Sequence, residues 1–99
     1  PDFLDILLEK YPEGINLVDE FGETPLMVAC RASLVNNIKL LFDKDNLDFL
    51  HRNNKGEDAL DILKKLDPDD AENARKNKDN YHKKILEILD SRLVNNDFI

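Results

Sequence analysis

Gly22-Glu23-Thr24-Pro25-Leu26, running on into Met27-Val28-Ala29-Cys30, decides how the chain is read. Glycine tolerates a positive φ, so Gly22 can close a tight turn that would strain other residues. Thr24 suits a helix N-cap, its hydroxyl accepting from an amide of the first turn that lacks an intrahelical partner. Pro25 then falls at the first helical position, where a missing N–H is harmless. Leu26 and Ala29 share one helical face, and the small Ala29 lets a neighbouring helix approach closely. The stretch reads as turn, cap and short amphipathic helix.

It recurs. Gly56-Glu57-Asp58-Ala59-Leu60 follows at an interval of 34 residues, keeping the turn glycine and exchanging one N-cap residue for another. Leu4-Asp5-Ile6-Leu7-Leu8 and Ile38-Lys39-Leu40-Leu41-Phe42 are offset by the same 34. A helix–turn–helix pattern at such a period points to a solenoid. The Gly-x-Thr-Pro-Leu opening resembles the ankyrin-repeat family, most closely over residues 19–63. The resemblance implies an all-α, ankyrin-repeat-like helical solenoid with short hairpin fingers. It divides residues 1–99 into a partial repeat (1–18), a full repeat (19–52) and a terminal repeat (53–97). Ile85-Leu86-Glu87-Ile88-Leu89 matches Phe3-Leu4-Asp5-Ile6-Leu7 at two periods plus fourteen residues, which places an insertion at 67–80. The chain departs from the family where Ser33 replaces the usual inter-helix glycine and Asn37 an aliphatic residue. Met27 and Asp61 replace the histidine that normally bonds the capping threonine.

A chain of 99 residues is one domain at most. Its charged residues reach 35% with a net charge of −7, which argues for a soluble protein and against general affinity for nucleic acid. The single cysteine, Cys30, cannot form an internal disulfide and favours a reducing, intracellular setting, cytoplasmic or nuclear. No apolar run reaches membrane-spanning length and no signal-peptide pattern is present, so no membrane partner is expected. Starting at Pro1 within what aligns as a repeat, the sequence reads as a fragment of a longer protein.

Periodicity predicts helices over 2–10, 24–31, 35–43, 58–66 and 81–94. Phe3, Leu4, Leu7 and Leu8 give the first an apolar face, and Phe3/Leu4/Leu7 is a candidate surface for self-association. Ile15 and Leu17 alternate with polar residues as in one limb of a finger tipped by Asp19-Glu20-Phe21; residues 47–56 form the second, with Phe49 packing inward. Leu60, Leu63 and Leu66 are expected in the core, as are Tyr81, Ile85, Ile88, Leu89 and Leu93. The insertion reads either as a solvated loop or as a helix from 68 to about 76, capped by Asp67 and interrupted near 77–80. With only Ala71 and Ala74 apolar, it is expected to be exposed and to contribute little stability.

The two histidines and one cysteine have no zinc spacing, the three glycines form no phosphate loop, and Ser33 and Ser91 lie in no nucleophile context. No enzyme activity, cofactor or metal is expected. Arg75, Lys76, Lys78, Lys83 and Lys84 are interleaved with acids and read as a solvated helix face rather than a nucleic-acid site. What remains is the concave face that the family resemblance implies as a binding surface for a protein or peptide partner. Its residues here are Val18, Glu20, Phe21, Glu23 and Arg31 in one repeat, and Arg52, Asn54, Lys55, Glu57 and Lys65 in the next. Phe21 either anchors a partner, as exposed aromatics do at hot spots, or folds against Pro25 or the neighbouring finger. Two other readings stay open: a C-terminal cap of a longer array, or a self-associating scaffold.

Overall fold

A computed structural model describes the backbone of residues 12–97 and the side chains of residues 14–92. The helix expected over 2–10, with its Phe3/Leu4/Leu7 face, and the side chain of Leu93 lie outside these described residues. Within them the chain is all-helical and has no strand. A 3-10 turn at Pro12–Asn16 precedes α1 (Pro25–Arg31), α2 (Val35–Phe42), α3 (Ala59–Leu63), α4 (Pro68–Arg75) and α5 (Lys78–Asp97). α1 packs on α2 and α3, and α5 packs on α2, α3 and α4, so α1/α3 and α2/α5 form two layers. No helix among the described residues is long and apolar enough to cross a membrane.

The caps follow the sequence closely. Thr24 Oγ1 accepts from Met27 N–H at 3.4 Å and Pro25 opens α1. The helix ends in a left-handed residue, Ser33 at φ 58, with Leu34 N–H donating to Ala29 O and Ser33 N–H to Cys30 O. That is a Schellman ending, made by serine where glycine carries no Cβ penalty. Asp58 caps α3 reciprocally: its carboxylate accepts from Asp61 N–H while the Asp61 carboxylate accepts from Asp58 N–H. Asn77 accepts from Asn80 N–H at 2.8 Å and starts α5.

Leu26, Ile38, Leu41, Leu60, Tyr81 and Ile85 are almost wholly buried between the layers. Phe42, Phe49, Tyr81 and His82 form an aromatic cluster, with His82 stacked on Phe42 at 4.4 Å. Phe49 thus packs inward as expected, and Asn37 is half-buried.

Two expectations are corrected. The helix predicted over 58–66 stops at Leu63, Lys64 is extended, and Leu66 is only half-buried. Pro68 disfavours helical backbone at the preceding residue, and the chain needs an extended link to enter α4. The insertion is mostly exposed, as expected, but it is tied to the rest of the chain. It is helical over Pro68–Arg75, but Asp67 makes no side-chain cap, and Ala71 and Ala74 are buried where α4 meets α5. Two alanines look negligible in a hydrophobicity count, yet their small size is what allows close helix contact.

α4 also brings an ion pair to the start of α3. Asp58 is fully buried, and Arg75 reaches it with Nε at 2.6 Å and a second nitrogen at 3.0 Å, while also lying 3.2 Å from Asp61. Burial opposes ionisation of Asp58, but the Arg75 guanidinium and the Asp61 N–H together outweigh it and hold the carboxyl below its ordinary value. The bonds to Asp58 hold Arg75 more firmly protonated in turn. At the other end of α3, Arg92 donates to Leu63 O.

Arg75→Ala leaves a buried carboxylate without its counter-ion and should cost roughly 3 kcal/mol at neutral pH, measured by urea unfolding. Because the folded pKa of Asp58 is depressed, the pair's contribution is present above the unfolded value near ~3.9 and is lost as pH falls through the folded value. The gap between parent and variant should therefore shrink in acid below about pH 4. A gap that is small at pH 7, or one that does not change with pH, contradicts this account.

Candidate functional site

Two turns, 34 residues apart, are built alike. In the first, Gly22 N–H donates to Asp19 O at 3.0 Å and Asp19 N–H to Glu23 O at 3.1 Å. In the second, Gly56 N–H donates to Asn53 O at 2.9 Å and Asn53 N–H to Glu57 O at 2.8 Å. Both glycines are left-handed, with φ of 75° and 79°. This is a β-turn followed by a glycine that lets the chain double back. The residue opening each turn holds it from inside: Asp19 Oδ1 accepts from Phe21 and Glu23 N–H, and Asn53 Oδ1 from Lys55 and Glu57 N–H.

The turns are also joined to each other. Asn54 N–H donates to Phe21 O at 3.0 Å and Asn54 Nδ2 to Glu20 O at 3.1 Å. His51 Nε2, in its Nε2–H tautomer, donates to Gly22 O at 3.0 Å. Asn53 Nδ2 bridges the carboxylates of Glu23 and Glu57. Lower down, Asn16 ties the 3-10 turn to the second connection, donating to Asn46 O and accepting from Asp48 N–H.

Between this pair of turns and α1 lies a groove of about 420 Å³, lined by Asp19, Phe21, Glu23, Arg31, Asn53, Asn54 and Lys55. Phe21 is 63% exposed at the edge of this groove. Glu23, by contrast, is nearly buried and paired with Arg31, whose guanidinium is held more firmly protonated by that bond. Its charge is spent within the protein. Lys55 is exposed and has no ion-pair partner among the described residues.

The structure therefore brings Phe21, Glu23, Arg31, Asn54 and Lys55 to one groove. Glu20 and Arg52 flank it: Glu20 is exposed, and Arg52 donates to Gly56 O and lies 3.6 Å from Asp61. Glu57 is half-buried against Asn53, Val18 is exposed, and Lys65 lies beyond the end of α3 in the link to α4. Sequence reasoning missed Asp19 and Asn53. Their signal was an Asp or Asn three residues before each turn glycine, the position where a short side chain can bond the backbone two residues on.

A second concavity of about 510 Å³ lies over α2 and α5, lined by Val35, Lys39, Asp79, His82, Leu86 and others. His82 Nε2 is buried there without a hydrogen-bond partner. Burial and the nearby Lys39 charge push its pKa down, which favours a neutral ring stacked on Phe42. Its rim mixes Lys83 with Glu87 and Asp90 and presents no exposed aromatic. Cys30 is wholly buried and its thiol is pushed up to about 12, first of all by desolvation, so it is a packing residue and not a nucleophile. Among the described residues no group of three or more His, Cys, Asp or Glu is placed to hold a metal ion. No family model, curated protein or solved structure matches the chain.

The two turn glycines separate conformational strain from crowding. A Cβ at Gly56 meets nothing within 4 Å, whereas at Gly22 it would lie 2.5 Å from Asn54 Oδ1 and 3.0 Å from its backbone N. Gly56→Ala should cost about 1 kcal/mol, the penalty of a left-handed alanine. Gly22→Ala should cost roughly twice that or more, since the Asn54 bonds to the first turn must also give way. Equal losses in denaturant unfolding contradict the close contact between the turns.

Proposed function

We propose that the chain is a protein-recognition module that docks a partner segment across the groove between its paired turns and α1. The observation that carries the reading is Phe21: a large aromatic, exposed, on a backbone fixed by Asp19 and Asn54. Aromatic and arginine side chains dominate binding hot spots, and an anchor already held in place loses little freedom on docking. In this reading Phe21 is the apolar anchor, Lys55 orients an acidic group of the partner, Arg31, its charge paired with Glu23, offers remaining N–H donors to partner carbonyls, and the Asn54 bonds keep the turns in register. The module performs no chemistry of its own and needs no cofactor.

The same reading takes the chain as an ankyrin-type stack. It is supported by two helix-and-turn units at a 34-residue interval with matching turn bonds, and by α1/α3 and α2/α5 packing in corresponding layers. A second reading, a cap for a longer array, is supported by the polar outer positions of α5, where Lys83, Glu87 and Asp90 are exposed. A setting inside the cell fits the one buried, unpaired thiol.

The test is to pan a random-peptide display library against the whole chain and measure the enriched peptides by titration. Phe21→Ala should leave the melting temperature unchanged, because the ring is exposed, and should weaken binding about thirtyfold, the equivalent of roughly 2 kcal/mol. Enriched peptides that bind the Phe21→Ala and Lys55→Ala variants as tightly as the parent, and lose affinity only on substitutions in α5, rule out the groove.

A further inference from the structure

Among the described residues one buried side-chain nitrogen has no hydrogen-bond partner, Nε2 of His82. Such atoms are uncommon in folded chains and call for a reason. The ring lies flat on Phe42, centroids 4.4 Å apart and planes 2° from parallel, where the first turns of α5 meet the end of α2. A neutral ring tolerates this place, because with its proton on Nδ1 it leaves Nε2 as a bare acceptor. A protonated ring does not. Both of its nitrogens carry N–H, so from either tautomer a charged donor at Nε2 is sealed from water with nothing to receive it. The face of Phe42 attracts a cation, but it leaves that donor unmet. Burial opposes a positive ring most, then Lys39 of α2 and, less, Lys78 of α5, with Asp79 of α5 acting the other way. Lys83, Glu87 and Asp90 line the concavity farther along α5. The connection after α2 reaches the aromatic cluster through Phe49 and brings no charge to bear on the ring. No carboxylate among the described residues comes within ion-pairing distance of it.

We propose that His82 is an acid-sensitive latch between α2 and α5. Neutral, it holds the first turns of α5 on Phe42; on taking a proton from solvent it leaves that stack and lets this end of α5 open to water. Two contacts go with it. Lys78, one turn earlier, donates to Lys44 O, and Tyr81, the preceding residue, is wholly buried and accepts from Leu60 N–H. Opening at His82 is thereby carried to the start of α3. The Asp58–Arg75 pair at the same helix responds in stronger acid, because Asp58 stays ionised below its ordinary range, so the two responses separate in pH. The latch concerns α2, α3 and α5 and does not rest on the groove being used.

The test uses the full chain. Followed by proton–nitrogen NMR, the His82 ring should titrate below the ordinary histidine value of ~6.5, and the Tyr81 and Leu60 amides should shift with the same midpoint. With the folded value depressed, stability is full above the unfolded value near ~6.5 and declines as pH falls from there toward the folded value. His82→Phe keeps a ring on Phe42 and cannot titrate. Between about pH 7 and about pH 5 the unfolding constant of the parent in urea should rise roughly threefold or more relative to that variant, and the parent-to-variant ratio of Leu60 amide exchange should rise with it. A ring that titrates at or above its ordinary value overturns the latch, and so do pH profiles that run parallel in parent and variant. Leu60 exchange that keeps the same ratio at both pH values overturns the opening toward α3. If His82→Phe does not fold, the ring titration and the Leu60 shift in the parent decide the matter alone.

Discussion

A carboxylate with no exposure to water, Asp58, sets the terms for the second half of the chain. Its helix, α3, has five residues, too short to stand on intrinsic propensity. The helix persists because it is held from outside. Asp58 and Asp61 cap its start, and Arg75 from α4 pairs with both, with Arg52 also near Asp61. The Tyr81 hydroxyl of α5 accepts from Leu60 N–H, and Arg92 of α5 binds the Leu63 carbonyl. A buried ion pair is weak evidence of net stability in itself, but breaking one is expensive, so it fixes where its two elements must sit. Here it fixes α4 against the start of α3 and so fixes the path by which the chain returns to form α5.

The paired turns solve a different problem. Their backbone groups cannot join a sheet, since no strand is present among the described residues, so the bonds are made locally and between units. Asp19 and Asn53 satisfy the inside of each turn, and Asn54 and His51 stitch one to the other. The acid at 23 and the amide at 53 also make the second unit more than a copy of the first. Asn53 Nδ2 lies between Glu23 and Glu57, a bridge that an aspartate at that position could not donate.

Features governed by neighbours in sequence were legible in it. Gly22 and Gly56 at positive φ, the Thr24 and Asp58 caps, Pro25 and Pro68 at helix starts, and the break near Asn77 all depend on residues within one turn. What escaped depends on partners far along the chain. Arg75 reads as one charge in a solvated run until Asp58, seventeen residues earlier, is seen to be buried beside it. Ala71 and Ala74 carry too little apolar area to register, although they are buried against α5. Glu23 looked like free binding charge for the same reason: only the fold shows that Arg31 and Asn53 consume it. The groove was legible as a region and not as a chemistry, because exposure and charge pairing are both properties of the fold.

That distinction bears on what the groove can select. With Glu23 neutralised and Asp19 bonded to two backbone amides, its carboxylates have local partners. Phe21 and Lys55, at corresponding places in the two turns, remain the side chains with least to do internally. The Asn54–Phe21 backbone bond holds these two positions at a set distance from each other. In the proposed docking mode, a partner that placed an apolar side chain on Phe21 would meet Lys55 at a set offset, where a carboxylate would be matched and a cation repelled. In the docking mode proposed above, specificity would come from the spacing between the two turns, which the Asn54–Phe21 main-chain bond and the Asn54 and His51 side-chain bonds hold.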